Sequence, residues 1–260
     1  MGNLRVGAEG EEPVRMSHDR ELWPQPPDLP RPVIMDQRWE RLTFLHWRVE
    51  PSAIAHLFPV GTEPDVFDGS TWVGLIGFEM VGAGLGYGHP VPYFGTFPEI
   101  NVRLYSVDGD GRRGVVFRSL EASRLAVVLG TNAAGVKYRW ARMSIDDDGS
   151  EIRFRSKRLA PPSRGATTDF AVRRGTKDMS DDPLAVFLTA RFGMHTSVAG
   201  RLLYVPNVHE QWPLVDASLV RCDDQLIAAA GLGDIASGAP ESVLFSPGVR
   251  TQFGRPYRCN

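Results

Sequence analysis

Phe97-Pro98-Glu99-Ile100-Asn101-Val102-Arg103-Leu104-Tyr105 is the stretch that decides the fold. Its polar and apolar residues alternate, which is the period of a β-strand. The apolar face of this predicted strand carries Ile100, Val102 and Leu104. The other face carries Glu99, Asn101, Arg103 and Tyr105. This polar row either points into a curved sheet as a polar site or faces solvent as an ordinary strand surface, and the pattern alone slightly favours solvent.

Length and composition are those of a globular protein. With 260 residues, 42% of them hydrophobic and 23% charged, the chain forms one large domain or two small ones. The formal net charge of −2 gives no general attraction to nucleic acid or acidic membranes, so we expect neither as a partner. No apolar run approaches the roughly 20 residues that span a bilayer.

The cysteines and the N-terminus bear on location and domain limits. Cys222 and Cys259 give neither a disulfide framework nor a metal spacing, and two thiols suit a reducing cytoplasm. The N-terminus lacks the apolar segment of a signal peptide, so we expect a cytoplasmic protein. Residues 1–31 are charged and proline-rich, and we predict a disordered tail followed by one domain over residues 32–260.

Turn signals divide the rest of the chain into many short strands and a few helices. Further strands are predicted over residues 41–49, 71–80, 114–119, 136–145, 151–158, 168–173, 195–198, 201–208, 217–221 and 242–253. Helices are predicted over residues 52–58, 120–129 and 181 to about 192. The strands do not alternate regularly with helices, so we expect a mainly β protein with a closed or strongly curved antiparallel sheet.

The motifs that could indicate a cofactor or a metal lack the context that each requires. The glycine-rich stretch 82–88 is followed by Pro90 and Pro92, where a dinucleotide-binding loop needs the start of a helix. The stretch Asp146–Ser150 lacks the later ligands of a calcium loop and fits a tight turn. No two of the six histidines have the spacing of a zinc-binding pair, so we expect neither a cofactor nor a metal.

Further candidate site residues lie on the next predicted elements. Arg118, Glu121 and Arg124 flank the start of the predicted helix, where they either pair on its surface or form the wall of a charged pocket. Tyr138 and Arg142 share one face of a predicted strand, and a Tyr/Arg face suits a carboxylate because arginine can hold it with two parallel hydrogen bonds. The stretch 208–213, with its His and Trp, either lines a pocket or, as we prefer, plugs the end of a barrel.

Six segments together resemble the YqjF-like family, a bacterial family of unknown function, and the resemblance covers residues 32–253. The segments are Asp65–Gly74, Phe97–Arg103, Ser119–Ala126, Tyr138–Met143, Phe187–Phe192 and Trp212–Leu214. The resemblance implies the acetoacetate-decarboxylase-like fold, a β-cone with a pocket inside, and it turns the polar row of the opening stretch toward that pocket. Acetoacetate decarboxylase forms a Schiff base through a lysine. Here the residues after the matching helix, 130–135, include no lysine, so a Schiff-base decarboxylase is not expected.

We therefore expect a pocket for a small organic acid or carbonyl compound inside the cone, with two functions open. In the first, an enzyme uses Glu99 as acid or base, Arg103 and Arg142 bind an anionic group, and Asn101 and Tyr138 orient the ligand. In the second, the protein binds or senses a ligand without turnover. A desolvated Glu99 beside a cavity favours catalysis, whereas pairing of Glu99 with an arginine favours a structural ion pair. The identity of the ligand and homo-oligomerisation stay open.

Overall fold

The computed structural model describes residues 25–86, 91, 95–124 and 138–259. Most of the predicted tail, residues 1–31, therefore lies outside the described residues, and the first strand begins at Val33. Within the described ranges, no helix is long and apolar enough to cross a membrane. The described chain forms a single, mainly β domain.

Thirteen strands account for most of the described chain. They are β1 (Val33–Val49), β2 (Thr62–Pro64), β3 (Thr71–Leu85), β4 (Phe97–Asp108), β5 (Arg113–Ala122), β6 (Tyr138–Asp147), β7 (Glu151–Arg158), β8 (Thr167–Asp178), β9 (Gly193–Val198), β10 (Arg201–His209), β11 (Val215–Asp224), β12 (Ser242–Gly254) and β13 (Tyr257–Arg258). The helical segments are short: α1 (Pro51–Ile54) with a 3-10 turn at Ala55–Leu57, α2 (Pro183–Thr189), a π-helical turn at Ala228–Leu232 and a 3-10 turn at Ile235–Ser237.

The strands form one sheet whose pairings close two circuits. The first circuit runs β4, β5, β6, β7, β8, β11, β12, β1, β3 and back to β4. The second runs β12, β1, β3, β4, β5, β9, β10 and back to β12. The five strands β12, β1, β3, β4 and β5 thus form a wall shared by both circuits. The predicted antiparallel sheet is confirmed except that β5 pairs in parallel with β6 and with β9.

The first circuit is filled with apolar side chains. From β4, Ile100, Val102 and Leu104 are fully buried in this core. They pack in the same cluster as Phe154 and Phe170, whose rings stack 5.1 Å apart on the opposite strands. The predicted alternation along β4 is confirmed, because its apolar face enters this core while Glu99 and Arg103 face the second circuit.

One predicted helix is wrong at its start. Residues Leu120, Glu121 and Ala122 belong to β5, paired with Asn101, Ile100 and Glu99 of β4. The remainder of that prediction, residues 125–129, lies outside the described residues. Backbone pairing with a neighbouring buried strand has overridden the local helical pattern.

The helix predicted over residues 181–192 is present but shorter, as α2. The side chain of Asp182 accepts a hydrogen bond from the amide of Ala185 at 3.0 Å, which caps the first turn. Pro183 occupies the first helical position, where its missing N–H costs nothing. At Ala190 the backbone leaves the helical region, with φ −76° and ψ 70°, so the chain turns toward β9.

Candidate functional site

The second circuit encloses a cavity of about 570 Å³. Its walls are mainly apolar and come from β1, β3, β4, β5, β9, β10 and β12. Three lining residues, Ile34, Leu85 and Val91, are 36%, 78% and 41% exposed, so they mark its mouth. The lining residues at and just after the end of α2, Thr189 and Arg191, are buried, so this end of the cavity is closed.

Arg103 lies at the closed end of the cavity. Its Nε donates to the hydroxyl of Tyr105 at 3.0 Å, and its Nη2 donates to the carbonyl of Leu188 at 3.2 Å. The guanidinium also lies over the ring of Phe44, 5.6 Å from its centroid. Within the described residues, no carboxylate lies at ion-pair distance from Arg103. The cavity therefore contains a cation that is held in place yet not neutralised by a neighbouring acid.

A buried network behind Arg103 fixes its direction. The hydroxyl of Tyr105 lies 2.6 Å from Nε2 of His46. Burial, followed by the charges of Arg103 and Arg191, holds the pKa of His46 well below its usual range, so this imidazole is neutral. Because Tyr105 accepts a hydrogen bond from Arg103, its single proton is donated to His46. The arginine thus rests on an ordered hydrogen-bonded chain.

Glu99 is a buried acid on the same face of β4, nearer the mouth. Its Oε2 accepts a hydrogen bond from the hydroxyl of Tyr138 at 2.8 Å, and its carboxyl also hydrogen-bonds to the side chain of Asn101. Burial raises the pKa of Glu99 to about 7, which these two hydrogen bonds only partly offset. No arginine contributes to that shift. Such a carboxyl can take up and release a proton at neutral pH.

The structure thus brings together four of the predicted site residues: Glu99, Asn101, Arg103 and Tyr138. Three of them line the cavity, whereas Asn101 is buried behind it and contacts Glu99. The Oδ1 atom of Asn101 is buried without a hydrogen-bond partner among the described residues. Burial and the neighbouring Glu99 raise the pKa of Tyr138 well above its usual value, so it remains a donor.

Arg118 and Glu121 do not face the cavity, which corrects their placement in a pocket wall. The pairing of β4 with β5 shifts between Val102 and Arg103 because β5 contains one extra residue at this point, a β-bulge. Arg118 is this extra residue, and it donates to the carbonyls of Leu57 and Ala230 on the other side of the sheet. The cavity receives Phe117 and Leu120 of β5 instead.

Glu121 belongs to a buried ion pair. Its carboxylate accepts hydrogen bonds from the guanidinium of Arg158, with 2.5 Å between Nη2 and Oε1. The hydroxyl of Ser119 donates to the same carboxylate at 2.6 Å, and Arg158 also donates to the carbonyl of Pro162 at 3.0 Å. Both charged side chains are almost completely buried, so this pair joins β5 to β7 rather than contacting a ligand.

Arg142 and Arg124 also lie outside the cavity lining. Arg142 is exposed on β6, four residues beyond Tyr138, at a position paired with the exposed Lys157. The strand carries it about 13 Å away from Tyr138, because each strand residue advances about 3.3 Å. Arg124 is half-buried and is not among the described lining residues.

Two basic residues that sequence reasoning did not place in the site line the cavity. Arg191 pairs with the buried Asp65, and its Nη2 is buried without a partner among the described residues. Burial lowers the pKa of His209 to about 4, so this ring is neutral at pH 7. Trp212 lines the same wall, so the pocket-lining alternative for residues 208–213 is the one observed. The segments Phe187–Phe192 and 208–213 were the sequence signals for these two residues. Because the two segments are far from β4 along the chain, the sequence did not show that they meet it at one cavity.

Outside the cavity, one described cluster has donors of the kinds that metals take. Asp108, His195 and Cys259 are buried, with one donor atom from each within 4.8 Å of the others. Asp108 already accepts from Nε of Arg112 at 2.7 Å and from the amides of Asp110 and Arg112. These contacts account for the carboxylate as the anchor of the β4–β5 turn.

Comparison with known proteins gives a family and a fold. The model of the family DUF2071, described as uncharacterized conserved proteins, matches residues 36–250. The uncharacterized protein YqjF of Bacillus subtilis (strain 168) is 29% identical over 185 residues, which is 71% of this chain and 76% of that protein.

Solved structures share the fold at low identity. Acetoacetate decarboxylase from Legionella pneumophila has a TM-score of 0.64 at 12% identity and covers 98% of both chains. An acetoacetate-decarboxylase-like enzyme from Sphingomonas wittichii RW1 has a TM-score of 0.60 at 12% identity, over 88% of this chain and 94% of that one. The enduracididine biosynthesis enzyme MppR, complexed with pyruvate, has 0.59 at 14% identity, over 88% and 91%. The predicted acetoacetate-decarboxylase-like fold is confirmed.

Proposed function

This protein belongs to the DUF2071 family, and we propose that it acts on an organic acid bound in the cavity of the second circuit. In this proposal Arg103 holds the carboxylate of the ligand, and Glu99 takes or gives the proton in the reaction. Tyr138 and Asn101 hold the carboxyl of Glu99 in place. The proposal includes a cytoplasmic location, which suits the two free thiols, Cys222 and Cys259.

The observation that carries the proposal is the environment of Arg103. A guanidinium in an apolar cavity without a neighbouring acid favours the entry of an anion, since the interaction is strong where water is excluded. Two of its nitrogens are already bound to Tyr105 and Leu188. These contacts fix the guanidinium group of Arg103 before the ligand binds, so little side-chain conformational entropy is lost on binding.

The environment of Glu99 supports catalysis over a structural ion pair. Its hydrogen-bond partners are the neutral side chains of Tyr138 and Asn101, and its pKa lies near 7. A base of this strength can accept a proton from a carbon next to a carbonyl group, whose oxygen takes up the electron pair, and then return the proton to product.

A Schiff-base mechanism has no candidate lysine among the described residues. Lys157 and Lys177 are both exposed and neither lines the cavity. Lys137 lies outside the described residues. We therefore propose acid–base chemistry on the bound acid. The pyruvate complex of MppR, a protein of the same fold, supports including 2-oxo acids among the probes.

The test is a thermal-shift screen of the protein against carboxylic, 2-oxo, 3-oxo and hydroxy acids. The parent and the Arg103→Met variant are screened together, with Arg173→Met, an exposed arginine on β8, as the matched control. We expect at least one acid to raise the Tm of the parent and of the control but not of Arg103→Met. If no acid raises the Tm of the parent, the proposed function is wrong.

A second arm separates an enzyme from a binding protein. Each stabilising acid is incubated with the parent and with Glu99→Gln in heavy water, and exchange or loss of its protons is followed by NMR. Proton exchange by the parent and its loss in Glu99→Gln support catalysis. Stable binding without exchange in either protein supports the non-catalytic alternative.

A further inference from the structure

The two polar groups of the cavity are far apart. Glu99 and Arg103 are four residues apart on β4, so their Cα atoms lie about 13 Å from one another. The Nε atom of Arg103 donates to Tyr105, which is two residues further along the strand. The guanidinium therefore points away from Glu99, and a ligand that touches both groups must be elongated.

The wall between these two groups is apolar. Leu120 is paired with Asn101, halfway between Glu99 and Arg103, and its side chain lines the cavity. The amide of Asn101 is turned to Glu99 instead of the cavity centre. The middle of a bound ligand therefore meets hydrocarbon and gains by being apolar itself.

The opposite wall is aromatic. Trp39 stacks on Trp212 with 6.0 Å between ring centroids, and Phe253 packs against Trp39 edge-on at 6.0 Å. All three rings line the cavity. Aromatic side chains of this kind provide large apolar contact areas for a ligand.

The size of the cavity points to the same kind of ligand. In liquid water one molecule takes up roughly 30 Å³. A cavity of about 570 Å³ is therefore far larger than an acid of three or four carbons and has the size of pockets that hold drug-sized molecules.

The closed end offers a second donor to an anion. The guanidinium groups of Arg103 and Arg191 both lie over the ring of Tyr105, 5.4 and 5.0 Å from its centroid. The Nη2 atom of Arg191 is buried and without a partner among the described residues, and its side chain lines the cavity. A carboxylate at this end would accept a hydrogen bond from that nitrogen. Without such a partner, the buried N–H donor costs free energy.

We propose that the ligand is an elongated, mainly apolar carboxylic acid, whose carboxylate lies between Arg103 and Arg191 and whose far end carries the carbonyl or hydroxyl group that meets Glu99. This inference rests on the proposed function and narrows its substrate class. A straight chain of roughly eight to ten carbons is comparable in length to the distance of about 13 Å that separates the Cα atoms of Glu99 and Arg103 along β4.

The test is a length series measured by isothermal titration calorimetry. The probes are the saturated carboxylates from propanoate to dodecanoate, with 1-decanol as the neutral control. We expect Kd to fall about fourfold for each added methylene, with the lowest values at eight to ten carbons and a higher Kd for 1-decanol than for decanoate. A lowest Kd at three or four carbons overturns this inference and leaves the proposed function standing. Failure of every acid both in this series and in the thermal-shift screen overturns both.

A variant arm tests the position of the chain. Leu120→Phe narrows the middle of the cavity. The matched control is Leu219→Phe, because Leu219 packs against the filled core and does not line the cavity. We expect Leu120→Phe to raise the Kd of decanoate at least tenfold and to change the Kd of butanoate less than twofold. In the control variant, the Kd of both acids should stay unchanged. Equal weakening of both acids would contradict a chain that passes Leu120. Should Leu120→Phe fail to fold, the length series on the unaltered protein decides.

Discussion

The hydroxyl of Tyr105, a fully buried side chain, accepts a hydrogen bond from Nε of the half-buried Arg103 at 3.0 Å. Tyr105 follows Arg103 by two residues on the same face of β4. Its ring also carries the guanidinium above it, 5.4 Å from the centroid. One strand therefore supplies both the anion-binding group and the residue that orients it, with no loop in between.

The first prediction concerns this pair. Tyr105→Phe keeps the ring and removes the hydroxyl, so Arg103 loses its fixed direction and Nε2 of His46 loses its donor. We expect the affinity for decanoate to fall about tenfold, and the free energy of unfolding to drop by about 1–3 kcal/mol. Calorimetry and urea unfolding measure the two effects. Tyr204→Phe, which removes a hydroxyl bonded to the carbonyl of Arg113 at 3.1 Å, is the control. It should lose stability only, and an equal loss of affinity there would argue against a specific role of Tyr105.

The second prediction concerns pH. The folded protein holds the proton of Glu99 up to a pKa of about 7, whereas the unfolded chain releases it near the ordinary value of 4.5. Between these values the native state binds more protons, so the contribution of Glu99 to stability falls as pH rises. Relative to Glu99→Gln, the parent should lose about 3 kcal/mol of unfolding free energy between pH 4 and pH 8. Urea unfolding of both proteins across this range measures the difference.

The pH experiment has its own control. Glu63→Gln changes an exposed glutamate on β2. Its stability relative to the parent should stay flat within a few tenths of a kcal/mol, as is usual for surface substitutions. If the stability difference between Glu99→Gln and the parent also did not change with pH, the carboxyl of Glu99 would not be desolvated.

The third prediction concerns the buried pair of Glu121 and Arg158. Arg158→Leu leaves the carboxylate of Glu121 buried without its cation, and we expect a loss of about 3–5 kcal/mol. The double variant Glu121→Leu/Arg158→Leu removes both charges and should be more stable than the single variant. Chemical denaturation measures both. Neither residue lines the cavity, so decanoate should bind the folded double variant with the parent affinity, and a lost affinity would return Glu121 to the site.

The fourth prediction concerns the filled core. A Cβ atom added at Gly77 of β3 would lie 2.7 Å from Cζ of Phe170 and 2.8 Å from Cδ1 of Phe154. Both rings are fully buried and stacked, so neither can move freely. We expect Gly77→Ala to reduce the unfolding free energy by about 1–3 kcal/mol through overpacking. Thermal unfolding measures it, with Gly109→Ala, which has nothing within 4 Å of the new Cβ, as the comparison. Equal Tm values for the two variants would contradict the packing.

The sequence predicted β4 well because its polar and apolar residues strictly alternate. One face of the strand packs in the core, and the other face lines the cavity. The same reasoning failed for Leu120–Ala122, which carry a helical pattern but pair with β4. A bulge at Arg118 cannot be read from side-chain type. Strict alternation would put Arg118 and Glu121 on opposite faces of β5, and the bulge places both on the far side of the sheet, where they bind backbone carbonyls and Arg158.

The candidate site was half predictable for a related reason. Glu99, Asn101 and Arg103 are close in sequence, so one strand pattern found them together. Arg191, just after α2, and His209, at the end of β10, are more than 80 residues from β4, and they reach the cavity through long-range contacts that local patterns do not encode. The helix α2 matters here as well, because its end supplies the carbonyl of Leu188 to Arg103.

The wall shared by the two circuits has a consequence for how such a protein can change. On β4, neighbouring residues lie on opposite faces and have different roles. Ile100 and Val102 belong to the core that keeps the chain folded, whereas Glu99 and Arg103 belong to the cavity. Substitutions at alternate positions can therefore alter what is bound while the residues between them continue to hold the chain together. One scaffold of this kind can diversify its chemistry through a handful of independent positions, without first rebuilding its interior.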